Sequence, residues 1–277
     1  MKSPKFWGLH AKPGLKLNWF LAALPFIIII VSYLIASDIR HEANPKDKLM
    51  PSVTSMVETI YDKAFVPNRK GEYVLLNDTV ASLSRIGIGV VLAAVVGLML
   101  GMNMALFSGM NSTLNPFITF LSIIPPLALL PILLITAGTG EVAKITLIFV
   151  GVVFMITRDV YRETKAIPKE QITKALTLGA TQLEVVYKII LPQIFPSLLN
   201  TIRLSLGAAW LFLIAGEAIA AKEGLGYSIY IAKRYLAMNI IIPYVMVITG
   251  LGFLMDLSLR KFVERKYPWY VAIKGGK

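Results

Sequence analysis

Four charged residues stand within or at the edges of long apolar runs: Arg85, Lys144, Arg203 and Glu217. An ionised group among apolar neighbours costs free energy unless it is paired, so each marks a contact inside the protein or a contact with a solute. Glu217 lies well inside its run. Its carboxylate can accept hydrogen bonds from a neighbouring helix, pair with a base, or act on a solute. Arg85 is a candidate partner for it. The planar guanidinium fork of Arg85 also fits an oxyanion, or can reach out to the nearest polar boundary. Lys144 and Arg203 read as boundary anchors. Bases exceed acids in and near the apolar runs, which favours an anion over a cation as the solute.

Other chemistry is excluded by residue type. The 277 residues include no cysteine, which removes disulfides, thiolate metal sites and cysteine nucleophiles. The two histidines, His10 and His41, are far apart and make no metal site. No G-x-x-x-x-G-K-[ST] phosphate loop is present. Gly138-Thr-Gly-Glu-Val-Ala-Lys144 resembles one only superficially, since no glycine precedes its lysine. Glu141 and Glu223 are isolated carboxylates, without the clustered partners that a membrane enzyme needs. The expected reading is a protein that is not an enzyme and binds no cofactor or metal itself.

The elements that hold these residues are membrane spans. Apolar residues make up 56% of the chain, charged residues 16%, and the mean hydropathy is +0.68. The expected fold is an all-α polytopic membrane protein with about six transmembrane helices, since about 20 apolar residues cross the hydrocarbon as helix. The runs are 19–36, 79–107, 116–137, 142–157, 197–221 and 240–257. The first is too long for a signal-peptide core and has no A-x-A cleavage site, so it reads as an uncleaved anchor. Gly87, Gly97 and Gly101 give the second run a face for close packing. Asn111–Asn115 reads as a polar break. Pro125, Pro126 and Pro131 kink or break the third run. Such broken backbone is tolerated where it faces protein or water, which makes Pro125 and Pro126 candidates for lining a pathway. In the polar segment 37–77, Val53, Met56, Val57, Ile60 and Ala64 share one helical face and predict a short surface helix. The segment 222–239 reads as polar.

Six spans place both termini on one side. Lys and Arg of the N-terminal tail, of 158–196 and of the C-terminal tail outnumber those of the segments between, including Arg40, Lys48, Lys222 and Lys233. The positive-inside rule then puts both termini in the cytoplasm. The net charge of +12 fits this distribution and contact with anionic lipid, with no call on nucleic acid. The expected organisation is a basic tail over 1–18, the first span and an outer segment over 19–78, a membrane core over 79–259 containing a cytoplasmic loop over 158–196, and a basic tail over 260–277.

That loop is too structured to be a plain connection. Pro168 suits a helix start and Glu170 its first turn. Ile172, Ala175, Leu176 and Gly179 fall on one face, and Gly179 suits the left-handed residue that ends a helix. Thr181-Gln-Leu-Glu184 reads as a capping box that starts a second helix, which Pro192 stops. A helix resting on lipid headgroups and a helix docking into a groove of a soluble partner both fit this pattern. The small residues favour docking.

Ala175-Leu-Thr-Leu-Gly179, followed after nine residues by Ile189-Ile-Leu191-Pro192, resembles the "EAA" loop of bacterial ABC importer permeases. Thr173-Lys174 stand where that pattern has Glu-Ala. Further stretches match in order across about 200 residues: Ser82-Leu-Ser-Arg85, Pro125-Pro-Leu-Ala128, Gly138-Thr-Gly-Glu141, Leu204 to Trp210, Glu217 with Ala220-Ala221, and Gly224-Leu-Gly226-Tyr227. Together they resemble the permeases for nitrate, bicarbonate, taurine and alkanesulfonates. The resemblance implies a type I importer permease in the bacterial inner membrane. It implies a second permease copy, two ATPase subunits that hydrolyse the ATP, and a periplasmic or lipid-anchored binding protein. The ATPase contact falls on Thr173, Lys174, Ala175, Leu176, Gly179, Ala180, Ile189, Leu191 and Pro192. The pathway is expected near Arg85, Pro125, Pro126 and Glu217. A permease for an amino acid, or an ion-coupled secondary transporter, is the alternative.

Overall fold

The computed structural model describes residues 14–44, 48–68 and 71–275. His10 and most of the N-terminal basic tail lie outside them. Among the described residues every regular element is helical. In order these are α1 (Leu15–Ala43), α2 (Val53–Phe65), α3 (Val74–Leu106), α4 (Ser108–Leu121), a 3-10 turn (Pro126–Leu129), α5 (Leu130–Ala137), α6 (Glu141–Lys165), α7 (Lys169–Thr177), α8 (Gln182–Val185), a π turn (Val186–Ile190), α9 (Leu191–Ala220), α10 (Leu225–Arg234), α11 (Met238–Lys266) and α12 (Pro268–Gly275).

Four helical stretches are long and apolar enough to cross a membrane: Leu15–Glu42, Val74–Leu106, Gln182–Ala220 and Met238–Lys266. A fifth arises if Ser108–Leu121 and Pro126–Ala137, bent by 81°, act as one broken span. The bend falls at Pro125-Pro126, where consecutive rings remove two N–H donors from the helix ladder. The sixth expected run lies in α6. At 25 residues, about 37 Å, α6 is long enough, but Lys144, Arg158 and Asp159 make it more charged than the others.

The core forms where α3, α6 and α9 meet, around Ile86, Leu147, Ile148, Ile156 and Leu213. Glycine sets the approach of α3 to α6. A Cβ on Gly97 would lie 2.8 Å from Ile156 Cγ2, and one on Gly101 only 2.6 Å from the Thr157 carbonyl oxygen. Gly89, not the expected Gly87, continues this stripe, since its Cβ would meet Ile148 at 2.8 Å. Gly87 lies about 200° round the helix from Gly89 and faces open space. Between α6 and α9, the Phe212 ring lies across bare backbone at Gly151, where a Cβ would come within 2.1 Å of it.

Three local expectations need correction. Asn111–Asn115 is not a break, because α4 runs through it. Ser112 and Thr113 turn their hydroxyls back onto the carbonyls of Ser108 and Gly109, so these polar side chains are satisfied within the helix. Pro192 does not stop the second loop helix. The π turn slips the ladder so that the Leu191 N–H reaches the Val186 carbonyl, and Pro192 falls in the first turn of α9, where its missing donor costs little. The segment 222–239 contains a helix, α10, packed on α9 and α11. α2 forms as expected and buries Met56, but Val53 and Val57 stand exposed on it. The apolar window of α1 is only 6% buried. It is tied to the chain ahead of α2 by Tyr33 and Ser37, which donate to the carbonyls of Pro51 and Met50.

Candidate functional site

Asp78, Ser82 and Arg85 recur at i, i+4 and i+7 on α3, so they share one face. That face looks onto the start of α6, the end of α9 and the start of α10. Arg85, 2% exposed, is the hub. Its Nε and Nη2 donate to the two carboxylate oxygens of Glu141, at 2.5 and 2.9 Å. Its Nη1 donates to Glu217 Oε1 at 2.7 Å and to the Glu223 carbonyl at 2.9 Å. Lys144 Nζ lies 2.8 Å from Glu141 Oε1. Glu217 is fully buried and also accepts from Ser82 Oγ and from the Gly226 N–H at 2.8 Å. Ser82 Oγ in turn accepts from the Leu225 N–H at 2.9 Å. Asp78 accepts from the Gly224 N–H, Ser228 and Tyr244.

This cluster needs glycine at 224. The residue has φ +123°, and a Cβ there would lie 2.5 Å from Glu217 Cδ and 2.7 Å from Arg85 Nη1. Arg85 and Glu217 therefore meet, as one reading of the sequence had it, and each is enclosed by protein donors and acceptors. The arrangement clamps α3, α6, α9 and α10 together, and neither charge is left facing an open space. Lys144 and Arg203, expected as boundary anchors, are also paired. Lys144 is buried against Glu141, and Arg203 Nε lies 2.9 Å from Asp256 on α11.

A pocket lined by Asn77, Asp78, Lys222, Glu223 and Ser228 borders the Asp78 side of the cluster, and a second open space lies elsewhere. A cavity of about 770 Å³ sits between α4, the proline bend, α6 and α9. Toward the middle of α6 and α9 its wall is apolar, with Ile124, Pro126, Phe154 and Phe212. Toward the Lys165 end of α6 it turns polar, with Asn115, Thr119, Ser122, Arg158, Asp159, Arg162 and Thr201. Thr119, Met155 and Arg158 are exposed, so the cavity opens to one side of the single chain. Of the expected pathway residues only Pro126 lines it; Pro125 is exposed at the same bend.

The loop 168–196 is a second surface with a defined shape. α7 ends in a full Schellman motif: Gly179 has φ +89°, Ala180 N–H donates to the Ala175 carbonyl, and Gly179 N–H donates to the Leu176 carbonyl. The capping box forms, with Thr181 Oγ1 accepting from the Glu184 N–H and Glu184 Oε2 accepting from the Thr181 N–H. Ile172, Ala175, Ala180, Ile189 and Leu191 turn toward the core, whereas Thr173, Lys174, Leu176, Gly179 and Pro192 are exposed. The sequence reading overlooked the largest exposed apolar residues here, Leu178 (88% exposed), Leu183 and Tyr187. They lie in the turn after α7, on α8 and in the π turn that follows it, off the periodic face from which the loop was read.

The family model for the binding-protein-dependent transport system inner membrane component matches residues 88–266. The chain is 34% identical over 190 residues to the taurine transport system permease protein TauC of Escherichia coli (strain K12), covering 69% of each chain. It is 31% identical over 192 residues to the bicarbonate transport system permease protein CmpB of Synechococcus elongatus, covering 69% of this chain and 68% of the relative. Among solved structures, a chain of the inward-facing MetNI methionine ABC transporter aligns with a TM-score of 0.62 and 22% identity, covering 72% of this chain and 98% of that one.

Proposed function

We propose a solute class and a coupling route for a chain that belongs to the family of binding-protein-dependent transport system inner membrane components, and that is a permease subunit of an ATP-driven ABC importer. The solute is a small molecule bearing an oxyanion: a sulfonate such as taurine, bicarbonate or nitrate. The observation that carries this is the pairing of two relatives, one named for taurine and one for bicarbonate, with a cavity whose charged wall holds two arginines and one aspartate. A permease for an amino acid is the alternative, and an ion-coupled secondary transporter is a more distant one. The enclosure of Glu217 by Arg85, Ser82 and Gly226 leaves the carboxylate most suited to ion coupling already occupied.

Two copies of the chain form the pathway, and both termini lie in the cytoplasm. The loop 168–196 then meets the ATPase subunits, one on each copy. Thr173, Lys174, Leu176 and Gly179, together with Leu178, Leu183 and Tyr187, make the contact. Ala175, Ala180, Ile189 and Leu191 hold the loop on the membrane core from beneath. The chain has no phosphate loop, so ATP is bound and hydrolysed by the partner subunits, and movement of α7 relative to the core switches the open side of the pathway. A periplasmic or lipid-anchored binding protein delivers the solute to the other face. Lipid covers the apolar outer surface.

Uptake of radiolabelled taurine, bicarbonate, nitrate and methionine by cells that express the complete transporter, compared with cells lacking this chain, tests the reading. Chain-dependent uptake of one of the three oxyanions supports it. Chain-dependent uptake of methionine alone overturns the solute class.

A further inference from the structure

We propose that the polar end of the cavity between α4, α6 and α9 is an oxyanion-binding stage of the pathway, with Arg158 as its cationic contact and Thr119 of α4 as its neutral donor, while Ser122 at the end of α4 donates to the Thr119 carbonyl and accepts from Arg158. The inference rests on the importer reading above and gives that pathway a specific site.

Charge balance within the wall carries the argument. Asp159 is occupied from two sides, by the Arg162 guanidinium and by the Thr201 hydroxyl. Arg162 and Asp159 cancel. Arg158 meets only a neutral group, with Nη1 3.3 Å from Ser122 Oγ, and no carboxylate among the described residues pairs with it. Its remaining N–H donors point from an exposed side chain on the wall of a cavity large enough for a small solute. A guanidinium with free donors in a partly enclosed polar space favours a planar or tetrahedral oxyanion over a cation.

Position adds to this. Asn115, Thr119 and Ser122 are spaced i, i+4 and i+7, one face of α4, and that face looks across the cavity at Arg158. Arg158 lies about 26 Å along α6 from Glu141, past the apolar part of the wall formed by Phe154 and Phe212. A solute moving along the cavity from that apolar wall toward the Lys165 end of α6 reaches the arginine next. Arg85 itself is 2% exposed and its donors are taken by Glu141, Glu217 and the Glu223 carbonyl, so the anion contact falls on Arg158 and not on Arg85.

The absence of cysteine from the chain allows a direct test in the full transporter complex. Thr119→Cys places one thiol on the cavity wall. Its labelling rate is measured with the anionic sulfonatoethyl and the cationic trimethylammonium-ethyl methanethiosulfonates, and the ratio is normalised to the same reagents reacting with free mercaptoethanol. The expected normalised ratio favours the anionic reagent by about tenfold or more, the lower end of the range over which charged clefts concentrate counter-ions. Arg158→Gln should bring it to within about twofold of unity, while Arg158→Lys should retain a clear preference because the charge remains. A ratio near or below one in the Thr119→Cys protein overturns the proposal. So does a preference unchanged by Arg158→Gln. Excess taurine and excess bicarbonate are added in parallel. An Arg158-dependent preference that neither solute opposes upholds the anion site and counts against the solute class proposed above, so the two ideas fail separately.

Discussion

Removing Arg85 should do more damage than removing Arg85 and the charge of Glu217 together. In Arg85→Met, Glu217 keeps only the Ser82 hydroxyl and the Gly226 N–H. Its carboxylate is fully buried between α3, α9 and α10. Glu141 suffers less, because its side chain is 55% exposed and Lys144 remains 2.8 Å away. The cost therefore concentrates on one stranded buried charge, and breaking a buried pair in this way costs about 3–5 kcal/mol. Arg85→Met/Glu217→Gln leaves a neutral amide that still accepts from Gly226 and Ser82. The double variant should recover at least half of the loss, a coupling of about 2 kcal/mol between the two sites. The assay is the fraction of purified complex that stays monodisperse after stepwise heating, read by fluorescence-detected size exclusion. Wild type should survive to the highest temperature, the double variant should come second and Arg85→Met last. If the double variant is no more stable than Arg85→Met, the Arg85–Glu217 pair is not the clamp described here.

Other positions give independent checks. Gly224→Ala combines a backbone region open essentially to glycine with a Cβ 2.5 Å from Glu217 Cδ, and should destabilise the complex by about 3 kcal/mol in the same heating assay. Gly97→Ala pushes α3 from α6 against Ile156 Cγ2 and the Thr157 backbone nitrogen, 2.8 and 3.2 Å from the new Cβ, and should cost about 1–3 kcal/mol, whereas Gly87→Ala, facing open space, should leave the heating curve unchanged. Thr181→Ala removes the N-cap acceptor of α8. The loss of about 1 kcal/mol should appear as roughly fivefold faster amide exchange over residues 182–185 by mass spectrometry, with the membrane helices unaffected.

Local signals in the sequence were read well where the responsible residues are neighbours. The Gly179 turn and the Thr181–Glu184 box form because their partners lie within five residues and backbone geometry alone satisfies them. The kink at Pro125-Pro126 follows from missing donors in the same way. What depended on distant partners was hidden. Arg85 and Glu217 stood out as costly charges, but only the fold brings Glu141 at the start of α6, and Gly224 and Gly226 at the start of α10, to them. Gly89 was passed over for Gly87 because composition does not tell which side of α3 meets α6. α10 was missed because it is only 10 residues long, too short to stand out as an apolar run between Lys222-Glu223 and Lys233-Arg234, and its stability comes from packing on α9 and α11. Arg158 gave no signal at all in one dimension. It reads as one more base at the end of a span until Asp159 is seen to be taken by Arg162 and Thr201.

Coupling to an ATPase through the loop 168–196 is the central claim, and co-purification tests it most directly. Leu178 is 88% exposed in the turn after α7, so Leu178→Glu leaves the fold of the chain intact while placing a charge on the docking face. The tagged chain should bring down its ATPase subunit stoichiometrically, and the Leu178→Glu chain, eluting at the same yield, should lose it. Retention of the ATPase by Leu178→Glu and by the equivalent Leu183→Glu and Tyr187→Glu chains would place the contact elsewhere and contradict the account.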